Sequence, residues 1–162
     1  MTVAIDRAGS ATEWLAGNSP SEVQVSEVGP NGSGKSTLLS LILADNPQAF
    51  ANHIRVAGRQ LGPGCGIWKI KALLGWVSPE LDAHYPPDAS ALHAVLSGFA
   101  SSLGAYIVPN HDQRAAALDW LDRLSQVSAS SHPFASLATC DRRLVLLARA
   151  AVHDPALLIL DE

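Results

Sequence analysis

The chain has 162 residues, of which 48% are hydrophobic and 16% are charged, and its formal net charge is −4. This length allows one domain with a proper apolar core, and the composition excludes an intrinsically disordered chain. The acidic excess argues against nucleic acid as a partner, because a nucleic-acid surface needs a net basic face to displace counterions.

The cysteines and the apolar segments indicate the cellular compartment of the protein. Cys65 and Cys140 are far apart in sequence, so they predict neither a disulfide framework nor a metal knuckle, and they suit a reducing compartment. The apolar stretches at 38–44 and 157–160 are much shorter than the roughly 20 residues that cross a bilayer. We therefore expect a cytoplasmic chain without direct membrane insertion, which is peripheral to the inner face of the membrane only through a partner.

The first part of the chain alternates strand-like and helix-like segments. Residues 1–20 contain several breakers and predict irregular structure. Valines over 23–28 predict a short strand, which a glycine-rich turn joins to an apolar helix over 35–44. A second strand is expected over 53–56, and the glycines of 58–66 predict a loop.

The second part contains most of the predicted helix. A strand is expected over 73–77, and Asp112 is the expected N-cap of the clearest helix. Helices are predicted over residues 89–97, 112–127 and 142–152. The continuous apolar run at 157–160 is typical of a strand that is covered on both faces in a parallel sheet. Strands that alternate with helices predict an α/β fold.

A phosphate-binding motif joins the first predicted strand to its helix. Residues 29–37 read GPNGSGKST and fit the pattern G-x-x-x-x-G-K-[ST]. Glycines let backbone N–H groups point at phosphate oxygens, and the helix N-terminus adds its positive dipole end. Lys35 is expected to reach the β- and γ-phosphates, and the Ser36 hydroxyl is expected to ligate Mg²⁺. The predicted nucleotide-binding residues are Gly29, Pro30, Asn31, Gly32, Ser33, Gly34, Lys35, Ser36 and Thr37.

Two acids follow the last apolar strand. A buried parallel strand delivers Asp161 to the carboxyl edge of the sheet, where it would share the Mg²⁺ with Ser36. Glu162 would then be the catalytic base that orients and deprotonates the attacking water. Taken alone, the same residues also fit a strand that runs into a solvated acidic turn. The phosphate-binding motif upstream favours the metal-site interpretation.

With these motifs in place, the chain resembles ABC-type ATPases, the nucleotide-binding cassettes of ABC transporters. The wording of residues 29–37 is typical of that family, and residues 137–143 and 147–150 are similar to its signature motif and signature helix. Part of the chain also resembles the soluble molybdate-transport and photorepair subgroup. The segments that carry this second likeness are 45–48, 67–71, 75–81 and 97–99.

The resemblance implies a P-loop NTPase of the RecA-like type, with a mostly parallel sheet and a helical insertion. Residues 1–162 would form a single ATP-binding domain, with a helical subdomain over about 80–150. ATP and Mg²⁺ would be the cofactors, and the partner would be a second cassette, stacked head to tail, or a membrane transport subunit. The family continues past the two acids with a D-loop, a further strand and a switch histidine. The chain is therefore expected to be an incomplete cassette that lacks its C-terminal part.

Several positions depart from the family pattern. The serine, two glycines and glutamine of the signature correspond here to Ala138, Thr139, Cys140 and Asp141. Alanine offers no hydroxyl to a partner's ATP, so Thr139 and Asp141 are the candidates left to cap the helix. The Q-loop glutamine of the family corresponds to Pro79, with Glu80 next to it.

These departures keep more than one function open. The first is an ATP-binding protein of the ABC transporter type that hydrolyses ATP to drive transport when it is complete and dimeric. The second is a truncated, non-hydrolysing ATP-binding remnant or scaffold. A third is a P-loop kinase for a small molecule, which would need an arginine-rich lid that the sequence does not suggest. Among other residues, Trp68 and Trp76 are expected in the core, and Arg142 and Arg143 on a solvated helix face.

Overall fold

A computed structural model describes the structure of residues 4–5, 34–52, 54–56, 59–61, 66–86, 88–100 and 108–161. Its elements before residue 78 are β1 (Ala4–Ile5), α1 (Lys35–Ile42), α2 (Gln48–Ala51), β2 (Arg55–Val56), β3 (Arg59–Gln60), α3 (Ile67–Lys71) and β4 (Leu74–Val77). Later elements are α4 (Pro79–His84), α5 (Ala91–Leu96), α6 (His111–Arg123), α7 (Thr139–Ala151) and β5 (Leu157–Leu160). Within these described ranges, three 3₁₀ turns lie at Ser97–Ala100, Val127–Ala129 and Phe134–Ser136.

The described strands form two sheets. In the first, β1 and β2 are parallel and β2 and β3 are antiparallel. In the second, β4 and β5 are parallel, with Leu74 opposite Leu157 and Val77 opposite Leu160. The parallel pair between helices confirms the predicted α/β class, and β5 has the predicted bounds.

The helices after β4 pack around one apolar cluster. Its largest fully buried side chains include Leu81, Leu121, Phe134 and Leu146, which come from α4, α6, the 3₁₀ turn after residue 133 and α7. A second cluster lies beneath α1 and the second sheet and contains the side chains of Ile42, Ile54, Leu61, Ile70 and Ile159. Trp76 of β4 is partly buried and packs against both clusters, so this strand joins the helical part to the sheet part.

The N-terminus of α6 is closed by Asn110, and the expectation of Asp112 as its cap was wrong. The Asn110 side chain accepts a 2.8 Å hydrogen bond from the Gln113 backbone N–H, and the Gln113 side chain accepts a 3.0 Å bond from the Asn110 N–H. This reciprocal capping box satisfies two backbone donors at once. Asp112 instead lies in the first turn, where its charge suits the helix dipole.

Some short elements differ from the sequence expectations. β1 lies within the segment expected to be irregular, and β3 lies within the predicted glycine loop. Both strands have two residues, which is too short for an apolar periodicity to appear. None of the helices in the described ranges is long and apolar enough to span a membrane.

Candidate functional site

Of the phosphate-binding motif, the structure describes residues 34–37, and the first of these is a glycine in the left-handed conformation. Gly34 has φ 100° and is the N-cap of α1, and its carbonyl accepts a 2.9 Å hydrogen bond from the Leu38 N–H. This φ favours glycine because it lacks the Cβ that would strain the turn. Ser36 and Thr37 are exposed in the first turn that follows. The predictions for Gly29, Pro30, Asn31, Gly32, Ser33, the Lys35 side chain and Glu162 lie outside the described residues.

Asp161 lies where the sequence predicts it, at the carboxyl end of the parallel strands. Its backbone N–H donates a 3.0 Å hydrogen bond to the Val77 carbonyl, which continues the β4–β5 pairing by one step. The residue is half-buried. Since β5 is held against β4, the sheet fixes the backbone from which this carboxylate projects.

Ser36 and Asp161 line one cavity of about 210 Å³, which we call the motif cavity. Its walls come from α1, from the ends of β4 and β5, and from the first turn of α4. The structure therefore brings together the two residues that the sequence assigned to Mg²⁺. Their hydroxyl and carboxylate oxygens are hard donors of the kind that Mg²⁺ prefers.

Ser78 and Glu80 also line the motif cavity, and the sequence analysis gave neither of them a role. Ser78 is 6% exposed, and its hydroxyl oxygen has no hydrogen-bond partner among the described residues. Glu80 is exposed in the first turn of α4. The available signal was their position on either side of Pro79, where the family places its Q-loop residue.

The described residues offer no preformed metal site made of His, Cys, Asp or Glu side chains. They include no group of three or more His, Cys, Asp or Glu side chains arranged to hold a metal ion. An ion in the motif cavity would therefore need oxygen atoms from a bound ligand. That requirement fits Mg²⁺, which proteins often hold through one or two carboxylates together with substrate phosphates.

The N-terminus of α7 differs from both capping expectations. Its N-cap is Ala138, and no side chain caps it. Thr139 and Cys140 are exposed, and an Asp141 carboxylate oxygen accepts a 3.0 Å hydrogen bond from the amide of the buried Gln126. The expectation that Thr139 or Asp141 would cap the helix was therefore wrong. Asp141 instead joins α7 to the segment after α6.

Arg142 and Trp68 also differ from their sequence interpretations. Arg142 was expected to be solvated, but its Nε lies 2.8 Å from an Asp82 carboxylate oxygen, and only Arg143 is exposed. Trp68 was expected in the core, yet it is 64% exposed on α3. Whether Arg142 meets an acid and whether Trp68 is covered both depend on packing between segments that are distant in sequence. The local residue pattern does not encode that packing.

A second cavity of about 240 Å³ lies beside the motif cavity, and Leu43, Asp45 and Trp76 line both. Arg149 and His153, at and just after the end of α7, line the second cavity. Burial lowers the pKa of His153, and a backbone hydrogen bond to Leu74 partly opposes this shift. A neutral imidazole is therefore the favoured form at this place.

These features define the chain as a P-loop NTPase with an α/β fold and a parallel strand pair. The sequence profile described as ABC transporter matches residues 21–162. The chain therefore belongs to the ABC transporter family.

Sequence similarity to characterised and uncharacterised ABC transporter ATP-binding proteins supports this assignment. ABC transporter ATP-binding protein ModF of Escherichia coli is 43% identical over 136 residues, which are 83% of this chain and 28% of ModF. The uncharacterized ABC transporter ATP-binding protein YlmA of Bacillus subtilis is 32% identical over 134 residues, which are 83% of this chain and 50% of YlmA. The chain thus spans half or less of the length of these two relatives.

A solved structure shows the same architecture. It is a transporter assigned to the metal-chelate ABC type in an inward-facing conformation, and its TM-score with this chain is 0.57 at 28% identity. The match covers 83% of this chain and 48% of that chain.

Proposed function

We propose that this chain binds Mg²⁺-bound ATP through residues 29–37, with Ser36 and Asp161 on the metal and Glu162 as the general base. The single observation that carries the proposal is that Ser36 and Asp161, which are far apart in sequence, line the same cavity. Lys35 would contact the phosphates. When bound, Mg²⁺ neutralises charge that develops on the transferred phosphoryl group.

In the full assembly we assign the chain to transport that is driven by ATP hydrolysis. A second cassette, stacked head to tail, or a membrane transport subunit would be the partner, and it would hold the chain at the cytoplasmic face of the membrane. We also propose that the chain belongs to the soluble molybdate-transport and photorepair subgroup, which the middle of its sequence resembles. Residues of about 80–150 would act as the helical subdomain.

A non-hydrolysing ATP-binding scaffold is the second candidate, and the N-terminus of α7 favours it. Ala138 presents no hydroxyl, and Asp141 is bonded to Gln126 within the same chain. A signature of this composition lacks the serine hydroxyl that the family pattern would place against ATP on a partner cassette. This candidate keeps nucleotide binding and loses turnover, so the two functions are separable by assay.

The test is the binding of a fluorescent ATP analogue with Mg²⁺ in excess, followed by phosphate release. We expect saturable binding by the natural chain and its loss in Lys35→Ala. Asp122→Asn is the matched control, because Asp122 is an exposed acid on α6 outside the motif cavity. A folded chain that does not bind the analogue would overturn the proposal. Phosphate release above the Lys35→Ala background would exclude the scaffold.

A further inference from the structure

We propose that the second cavity, beside the motif cavity, binds a small aromatic carboxylate whose ring carries a hydrogen-bond donor. The cavity has a volume of about 240 Å³, and its walls come mainly from α3, β4, α7 and the segment at the end of α1. None of the described residues assigned to ATP or Mg²⁺ lines it. This site is therefore separate from the one in the proposed function.

The size of the cavity limits the ligand to a single ring. Sites for drug-sized ligands usually enclose about 300 to 1,000 Å³, and an apolar cavity of about 150 Å³ holds benzene. The second cavity lies between these two sizes. It therefore suits one ring with one or two small substituents, and a nucleotide is too large for it.

The charges on the wall favour an anion. Among the described residues that line the cavity, Lys71 and Arg149 are cations and Asp45 is the only acid. Asp45 is paired with Lys71 at 2.7 Å, so the described wall keeps a net positive charge. Arg149 is 5% exposed and already donates from Nε to Ser97 Oγ, whereas the Lys71 side chain is 30% exposed. We therefore assign the carboxylate of the ligand to the Lys71 side, and Arg149 contributes through its positive field.

Trp68 gives the cavity an exposed aromatic wall. It is 64% exposed, although a tryptophan is usually mostly buried. Trp76 also lines the cavity and is partly buried. Flat rings stack on aromatic side chains of this kind, and an aliphatic carboxylate of the same size would lose that contact. An aromatic ring is therefore the part of the ligand that Trp68 selects.

His153 adds the requirement for a donor. Its Nε2 lies 3.2 Å from the Leu74 carbonyl oxygen, and because a carbonyl only accepts, Nε2 carries the proton. Nδ1 of the neutral ring is then an acceptor, and it is buried without a hydrogen-bond partner among the described residues. Buried acceptors in folded proteins nearly always have a partner. Since His153 lines the cavity, a hydroxyl on the ligand ring would supply one after a slight turn of the imidazole.

A packing gap that is filled by water is the competing explanation. In that case an ordered water is the partner of His153 Nδ1, and the cavity has no reason to distinguish ligands by their charge or by their donor groups. Single-ring compounds would then all bind equally weakly or would not bind.

The first experiment titrates the nucleotide-free chain with 4-hydroxybenzoate at neutral pH and follows binding by isothermal titration calorimetry. Benzoate lacks the donor and phenol lacks the charge, so each should bind about tenfold more weakly. Equal affinities for 4-hydroxybenzoate and phenol, or no saturable binding by the folded chain, would overturn the proposal. Equal affinities for 4-hydroxybenzoate and benzoate would overturn the role of His153. Because no nucleotide is present, these outcomes do not depend on ATP binding.

The second experiment locates the ligand through Trp68. Trp68→Ala removes an exposed ring, so the chain should fold normally and bind 4-hydroxybenzoate about tenfold more weakly. Phe50→Ala is the matched control, because Phe50 is also an exposed aromatic residue and does not line the cavity. Equal binding by the two variants would place the ligand elsewhere and would overturn the proposal.

The third experiment tests the charge of the wall. Lys71→Gln removes a cation and leaves Asp45 unpaired, so it should weaken the binding of 4-hydroxybenzoate at least tenfold and should hardly affect phenol. Lys69→Gln is the matched control, since Lys69 is exposed on the same helix and does not line the cavity. If Lys71→Gln weakens both compounds equally, or neither, the carboxylate does not bind beside Lys71 and the proposal fails.

Discussion

Arg149 Nε donates a 3.1 Å hydrogen bond to Ser97 Oγ inside the helical cluster. Ser97 Oγ donates in turn to the Ala94 carbonyl at 2.7 Å and lies 2.6 Å from the Tyr85 hydroxyl. Burial lowers the pKa of Arg149, and its contact with Tyr85 opposes that shift. One hydroxyl therefore connects α7 to α5 and to the residue that follows α4.

We predict that Ser97→Ala lowers the free energy of unfolding by about 2 kcal/mol, because it removes a buried acceptor from a charged donor. Urea denaturation at neutral pH measures this change. Ser131→Ala is the matched control, since Ser131 is exposed and outside this network. If both variants unfold at the same urea concentration, the network does not stabilise the fold.

Gly75 and α7 make a second close contact within the fold. A Cβ on Gly75 would overlap the backbone carbonyl of Ala150, so only glycine lets α7 lie this close to β4. We predict that Gly75→Ala costs about 2 kcal/mol of stability, because backbone atoms do not move aside as a flexible side chain does.

Gly66→Ala provides the comparison for this prediction. Gly66 precedes α3, and an added Cβ there meets no atom within 4 Å. Its φ is −64°, which alanine adopts without strain. Thermal unfolding followed by circular dichroism should show a lower midpoint for Gly75→Ala alone. Equal midpoints would mean that β4 and α7 are not in close contact.

The parts of the fold that the sequence predicts well are those with a strong local signal. The four-residue apolar run of β5 and the acid after it gave both a strand and the location of Asp161. The start of α1 followed from the glycine motif, since Gly34 adopts a conformation that few other residues accept. In these cases the residue types alone restrict the backbone.

The rest depends on contacts between distant segments. Ser78 lines the motif cavity because β4 pairs with β5 and ends near α1, and no local sequence pattern predicts that position. Arginine is a residue type that is usually exposed, but folding places Asp82 beside Arg142. Two-residue strands such as β3 have too few positions for a period of two to be visible.

The Arg142–Asp82 pair predicts a measurable coupling between α7 and α4. Nε lies 2.8 Å from one carboxylate oxygen at an angle that makes no hydrogen bond, and a terminal nitrogen donates a 3.2 Å hydrogen bond to the other oxygen. Both side chains are about a quarter exposed, at 26% and 22%. We expect a coupling energy of about 1 kcal/mol in a double-mutant cycle with Arg142→Met and Asp82→Asn.

The exposed pair Arg123–Asp119 on α6 provides the reference coupling energy for that double-mutant cycle. Its nitrogen and oxygen are also 2.8 Å apart, but the side chains are 46% and 57% exposed and the residues are one helical turn apart. Pairs of this kind contribute about 0.3 to 0.5 kcal/mol. A smaller coupling for Arg142–Asp82 than for Arg123–Asp119 would contradict the claim that the bridge holds α7 against α4.

His153 predicts how stability depends on pH. Burial lowers its pKa below the usual 6.5, a Leu74 carbonyl hydrogen bond and nearby Asp154 raise it, and Arg149 lowers it. The unfolded chain therefore binds the proton more tightly than the folded chain. The stability that the neutral imidazole contributes is complete above the unfolded pKa and is lost as the pH falls below it.

We expect the free energy of unfolding to fall between pH 7.5 and pH 5.5, and we expect His153→Gln to fall less over the same interval because it cannot take up the proton. His111→Gln is the control, since it makes the same substitution at a histidine whose side chain is 97% exposed. Urea titrations at the two pH values give the difference directly. A His153→Gln variant whose stability falls as much as that of the natural chain would contradict the assignment, because that result requires a histidine that folding does not make harder to protonate.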